Sequence, residues 1–220
     1  MKKFALIVAG GIGNRMGNES PKQFIKIAGK PILMHTIEIF NKYEPKIELI
    51  IVLPEQQIKT WKNLCYENSF NINHRVCIGG KKRFFSVLNG LKEITEEGIV
   101  FIHDGVRPLV SIDTLLRCCR MAQSKGNAIP VIPVAESLRK GDNVKNVAVN
   151  RSEYYIVQTP QTFNVAVIKE AYNQEFSPLF TDDASVLEVT GKSINLVEGN
   201  RENIKITFPN DILIAEVYLK

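Results

Sequence analysis

Ile47-Glu48-Leu49-Ile50-Ile51-Val52-Leu53 limits the fold more than any other stretch. It offers almost nothing polar to water, so a strand made from it must be covered on both faces. Phe4 to Val8 and Ile99-Val100-Phe101-Ile102 have the same character. Helical patterns lie between these runs. Pro31 opens one that continues to Tyr43, at a first-turn position where its missing N–H costs nothing. Pro54 opens another, to about Glu67. Residues 82–97 place Phe85, Leu88, Leu91 and Ile94 on one helical face, and Ser111 caps a helix to about Ser124. Shorter strands are expected at Arg75-Val76-Cys77-Ile78 and from Ala128 to Val134. Pro130 and Pro133 place the latter at an edge or a bend. This alternation predicts an α/β, Rossmann-like, doubly wound and mostly parallel sheet, within a single domain spanning residues 1–220.

In such sheets ligands sit beyond the carboxyl ends of the strands. Loops 10–22, 79–86 and 103–108 occupy those ends. The first opens as Ala9-Gly10-Gly11-Ile12-Gly13-Asn14-Arg15-Met16-Gly17, with four glycines and one arginine. Bare backbone N–H groups in such a turn form a concavity for anions, and the Arg15 guanidinium matches phosphate oxygens. A phosphate cradle follows; a turn that needs glycine only for its shape is the rival. The dinucleotide pattern G-x-G-x-x-G accepts Gly11 and Gly13 but meets Met16 where its third glycine belongs. It also lacks the acidic ribose ligand in Phe24 to Pro31. In this stretch no Gly-Lys pair is followed by Ser or Thr, as a P-loop requires.

Residues 135–158 interrupt the alternation. Glu136 to Asn143 is polar and turn-rich. Val147-Ala148-Val149 and Tyr154-Tyr155-Ile156-Val157 read as short strands flanking Asn150-Arg151-Ser152. This hairpin-like, protruding β-arm is too thin to own a core. It calls for a partner surface, most simply a second subunit. Beyond it come a helix near 164–175, a capped helix at Thr181-Asp182-Asp183-Ala184-Ser185, strands near 194–198 and 203–207, and a last helix from Pro209.

The net charge of +5 suits an anionic ligand, and with no block of five like charges it gives nucleic acid little footing. Cys65, Cys77, Cys118 and Cys119 form no C-x-x-C pair, and His35, His74 and His103 are scattered. Neither zinc nor a disulfide framework is indicated, which points to a reducing, cytoplasmic setting. The apolar run after Lys2-Lys3 is too short for a secretion signal, and no stretch is long enough for a membrane span.

Further motifs follow the glycine loop in order. They are Pro21-Lys22-Gln23, Gly79-Gly80 with Arg83 and Ser86-Val87, and His103-Asp104-Gly105-Val106-Arg107-Pro108. Arg151, Gln158-Thr159-Pro160-Gln161, Thr181 to Ser185, and Val197-Glu198-Gly199 with Asn203-Ile204-Lys205-Ile206-Thr207 come next. Together they resemble the 2-C-methyl-D-erythritol 4-phosphate cytidylyltransferases, nucleotidyltransferases of isoprenoid precursor synthesis. The resemblance implies in-line attack by methylerythritol phosphate on the α-phosphorus of CTP, with release of pyrophosphate and no covalent enzyme intermediate. It implies Arg15, Lys22 and Lys205 at the reacting phosphates. Ala9, Gly10, Gly11, Gly13, Gly80 and Ser86 would surround the nucleotide. Asp104, Arg107, Ser137, Arg151 and Thr181 would meet the sugar-alcohol phosphate. Arg151 would complete the neighbouring site of a homodimer through the 135–158 arm. Mg²⁺ is implied on the phosphate oxygens, with Asp104 beside it.

Three places depart from the family's usual pattern. Ala9-Gly10-Gly11 stands for Ala-Ala-Gly, Lys81-Lys82 for an acidic pair, and Glu136-Ser137 for Asp-Thr. Ribitol 5-phosphate cytidylyltransferases share the glycine loop, Pro-Lys-Gln and Asn-Ile-Lys, and are the nearest alternative. A nicotinamide dehydrogenase and a non-catalytic nucleotide-binding module are alternatives of other classes.

Overall fold

The computed structural model describes residues 1–10 and 21–219. Its strands are β1 Lys2–Val8, β2 Lys26–Ile27, β3 Lys30–Pro31, β4 Glu48–Leu53, β5 Arg75–Ile78, β6 Gly98–Asp104 and β7 Asn127–Pro133. β8 Leu138–Gly141, β9 Asn146–Val149, β10 Tyr155–Val157, β11 Gln161–Asn164 and β12 Leu196–Glu198 follow. The α-helices are α1 Ile32–Tyr43, α2 Glu55–Glu67, α3 Arg83–Lys92, α4 Ile112–Lys125, α5 Val165–Ala171, α6 Asp183–Glu188 and α7 Pro209–Leu219.

The main sheet runs β5-β4-β1-β6-β11-β7, with β12 along the other edge of β7. β1 is parallel to β4 and β6, and β4 to β5. β11 is inserted antiparallel between β6 and β7. The expected mostly parallel α/β sheet is therefore what forms. Alternate residues of the apolar strands feed two cores. Ala5, Ile7, Leu49, Ile51 and Phe101 pack with Phe40 of α1, Trp61 of α2 and Leu115 of α4. Phe4, Leu6, Ile50, Val52 and Val100 pack on the other side with Val87 of α3, Ile168 of α5 and Leu187 of α6.

Several local expectations change. β7 is not an edge strand: β12 covers one side, and β11 and then β10 cover the other. Pro130 falls between the residues that pair β11 (127–128) and those that pair β10 (131–133), so its missing N–H removes no ladder bond on that side. α3 ends at Lys92 rather than near 97. Residues 203–207 form no strand; Ile206 N–H reaches the Val106 carbonyl at 3.0 Å, and the segment is otherwise irregular. Tyr155–Val157 joins β7 rather than folding back on the arm. The arm's own hairpin is β8–β9, turned at Asp142, whose carboxylate accepts the N–H groups of Val144 and Lys145 at 2.8 and 2.7 Å. α6 is capped by Asp182 in a reciprocal box with Ser185, so Thr181 lies one residue outside the cap.

The four cysteines are free. Burial pushes the thiols of Cys65 and Cys77 up to about 11. No helix among the described residues is long and apolar enough to cross a membrane.

Candidate active site

Strand register builds the site. Val8 pairs with Asp104, so β1 and β6 end level. The ladder is continued by Ala9 N–H to Val52 carbonyl, Gly79 N–H to Leu53 carbonyl and Gly105 N–H to Val8 carbonyl, at 2.8–2.9 Å. Just beyond these ends lies a cavity of about 280 Å³. Among the described residues, Ala9, Gly10, Lys22, Gln23, Gly80, Lys81, Lys82, Arg83, Ser86, Asp104 and Lys205 line it, with Val8 and Val106 at its base.

One wall is polar backbone. Gly80 N–H donates to Ser86 Oγ at 3.1 Å. A Cβ on Gly80 would come within 2.3 Å of the Phe85 Cβ, so this turn admits only glycine. A Cβ on Gly10 would meet Ser86 Oγ at 3.7 Å, an ordinary contact. The Ala-to-Gly departure there changes flexibility and leaves the wall intact. Gln23, wholly buried, donates to the Ala9 carbonyl at 2.8 Å and ties Pro21-Lys22-Gln23 to the loop base.

A second part of the lining is ionic. Asp104, 8% exposed, faces three cations: Lys205 Nζ at 3.0 Å, Arg107 Nε at 3.5 Å and Arg83 Nε at 3.7 Å. Burial pushes its carboxyl up, but Arg83, Lys205 and Arg107 together hold it well below the usual carboxylate range. Burial lowers the Arg107 pKa despite Asp104; its Nη1 donates to the Asn203 carbonyl at 2.7 Å. Arg107 thus braces the carboxylate from behind. Arg83 makes a bidentate pair with Asp183, both contacts 2.7 Å. Asp104 carries one negative charge, and the surrounding lysines and arginines leave the cavity strongly positive, an arrangement for polyanions.

The structure brings Ala9, Gly10, Lys22, Gly80, Ser86, Asp104 and Lys205 to one cavity. Arg107 touches it through Asp104. Ser137, Arg151 and Thr181 are exposed and do not line it within one chain. Arg151 instead donates to the Ala135 carbonyl, across the base of the arm. Gly11, Gly13 and Arg15 lie outside the described residues. Sequence reading missed the brace roles of Arg83, Gln23, His103 and Thr159. All four sit inside the quoted motifs, which is the signal that marked them.

Residues 4–220 match the family model described as 2-C-methyl-D-erythritol 4-phosphate cytidylyltransferase. The chain belongs to that family. A 2-C-methyl-D-erythritol 4-phosphate cytidylyltransferase from Bacteroides thetaiotaomicron is 50% identical over 219 residues, covering 100% of each chain. A crystal structure of 4-diphosphocytidyl-2C-methyl-D-erythritol synthase from Anaerococcus prevotii superposes with a TM-score of 0.83 at 26% identity, covering 99% of this chain and 98% of that one. The Thermus thermophilus cytidylyltransferase gives 0.80 at 29% identity, over 99% and 98%. The cytidylyltransferase fold therefore accounts for the whole described body, and the ionic wall sits at its strand ends.

Proposed function

We propose that this chain transfers a cytidylyl group from CTP to 2-C-methyl-D-erythritol 4-phosphate, releasing pyrophosphate. The observation that carries the reading is Asp104, ringed by Lys205, Arg107 and Arg83, in the cavity that Gly80 and Ser86 also line. One wall offers backbone groups for a base and ribose. The other offers an oriented carboxylate for the hydroxyl groups of a sugar alcohol. Lys22 and Lys205 line the same cavity.

The acceptor phosphate oxygen attacks the α-phosphorus and pyrophosphate leaves on the opposite side. The nucleophile is already an anion, so no general base is needed. What the protein supplies is position and positive charge. Lys22 and Lys205 hold the triphosphate and steady the charge that builds on the α-phosphate, with Arg15 joining them. Asp104, fixed by Arg107, aligns the acceptor. Mg²⁺, when bound, would supply charge neutralisation at the triphosphate, with Asp104 the residue to stand beside it. Asp104 is the one carboxylate among the described residues that line the cavity, and its oxygens face three cations. No group of three His, Cys, Asp or Glu side chains among the described residues could cage a metal.

The arm completes the reading. Ser137, Arg151 and Thr181 are exposed in one chain, and Tyr154 to Val157 leave an apolar surface, 42–52% exposed, at the arm's base. A homodimer covers that surface and carries Arg151 to the acceptor phosphate of the neighbouring site. Four free cysteines suit a cytoplasmic setting.

The test is pyrophosphate release from purified protein given CTP, Mg²⁺ and either acceptor. Release with methylerythritol phosphate is expected; release with ribitol 5-phosphate alone overturns the substrate. CTP binding with no turnover on either would make the chain a binding module.

A further inference from the structure

We propose that Arg83 is a positioning residue that locks the acceptor side of the cavity into one rigid piece, joining Asp104 at the end of β6 to Asp183 at the start of α6. The inference rests on the cytidylyl-transfer reading. Both terminal nitrogens of Arg83 are committed to Asp183, each at 2.7 Å. Its Nε faces Asp104 at 3.7 Å. A guanidinium whose fork is filled by one carboxylate has little left for a substrate phosphate. Its place at the cavity edge is therefore that of a strut.

The far end of the strut is anchored. Asp183 is fully buried and accepts a hydrogen bond from the Tyr172 hydroxyl at 2.6 Å. The neighbouring cap residue Asp182 accepts from Gln161 Nε2 at 2.7 Å, and Gln161 Oε1 accepts the Ala184 N–H at 2.8 Å. Gln161 lies on β11, opposite Ile102 of β6. The start of α6, with Thr181 just before it, is thus tied to β6 twice, through β11 and through Arg83. Arg83 also begins α3, whose first turn presents Ser86 to the nucleotide wall. The strut stands where the two walls meet, and its near end is the acceptor's carboxylate.

Three variants test this. Arg83→Lys keeps a charge and loses the fork. Arg83→Met with Asp183→Leu removes both charges together, which spares the fold the cost of leaving the buried Asp183 unpaired. Tyr172→Phe removes one bond from Asp183 and leaves the ion pair. For the first two, the KM of the acceptor is expected to rise about tenfold or more, as misplacement of a positioned group does. Calorimetric CTP affinity, measured without acceptor, should change less than twofold. Tyr172→Phe should shift the acceptor KM in the same direction by less. CTP affinity falling as far as acceptor affinity would make Arg83 a nucleotide ligand and overturn the proposal. So would an unchanged acceptor KM in the folded double variant. Wild-type protein inert toward both acceptors would sink the functional reading, and this inference with it; active wild type with unaffected variants would sink the inference alone.

Discussion

Thr159 Oγ1 accepts the backbone N–H of Asp104 at 3.1 Å. The same hydroxyl lies 3.0 Å from His103 Nδ1, and His103 Nε2 lies 3.0 Å from the Arg107 carbonyl. A carbonyl only accepts, so Nε2 carries the ring proton and Nδ1 takes the hydroxyl's hydrogen. One neutral imidazole and one hydroxyl therefore hold both ends of the 104–107 turn. Thr159→Val would leave a buried N–H and a buried ring nitrogen unpaired. It should lower stability by about 1–3 kcal/mol, read from denaturant unfolding, and reduce turnover. Thr159→Ser, which keeps both bonds, should recover most of each. A valine variant as stable as wild type would refute this account.

The same ring sets an acid limit. Burial, outweighing its hydrogen bonds and Asp104, lowers the His103 pKa from 6.5 to about 4. Between those values the unfolded chain binds a proton that the folded chain refuses. The stability from keeping the ring neutral is complete above about pH 6.5 and is lost as pH falls toward 4. The shift corresponds to about 3 kcal/mol. Asp104 acts in the next window down: its depressed carboxyl contributes above the ordinary value of 3.8 and is lost as pH falls through the lowered one. Denaturant midpoints measured from pH 7 to pH 4.5 should fall in wild type and fall less in His103→Gln. A flat wild-type profile would contradict the assignment.

Lys205 stands 3.0 Å from Asp104 with its side chain 44% exposed. Its removal leaves no buried hole but takes one of three cations from buried Asp104, so Lys205→Met should lower stability by about 1 kcal/mol. Its loss from the transition state should cut kcat by about 10²–10³. Lys22→Ala should likewise lose far more rate than CTP affinity. Equal losses in rate and affinity would mean the lysines bind ground state and transition state alike.

Mixed subunits test the proposed shared site. Under that proposal the Arg151→Ala and Asp104→Ala proteins should each be nearly inactive. Co-refolded together, they should regain activity, because a heterodimer holds one site with both residues intact. No recovery would mean Arg151 serves its own chain.

The body of the fold was legible because Ile50 to Leu53 and Val100 to Ile102 cannot face water on either side. Pro130 misled because the break it occupies belongs to two partner segments far along the chain. Ile204 and Ile206 alternate like a strand, yet Leu196–Glu198 takes the free edge of β7. Residues 203–207 instead carry Lys205 to the cavity. Asp104 could be placed from its position at a strand end. Its ring of cations could not, since Arg83, Arg107 and Lys205 come from separate segments that only the sheet register brings together. Arg83 lay in a quoted motif without a role because its partner, Asp183, is 100 residues away. Gly11, Gly13 and Arg15 lie outside the described residues.

Tyr155 stands directly opposite Pro133 where β10 meets β7. The chain leaves the body and re-enters it at one point, so residues 134–154 hang as a closed handle. The sheet register on either side does not depend on what the handle contains. Doubling such a loop costs only about 0.6 kcal/mol in closure entropy. Maintenance of the catalytic body therefore sets no limit on the handle's length; a limit comes only from the reach proposed for Arg151, while the strands that level Val8 with Asp104 cannot shift.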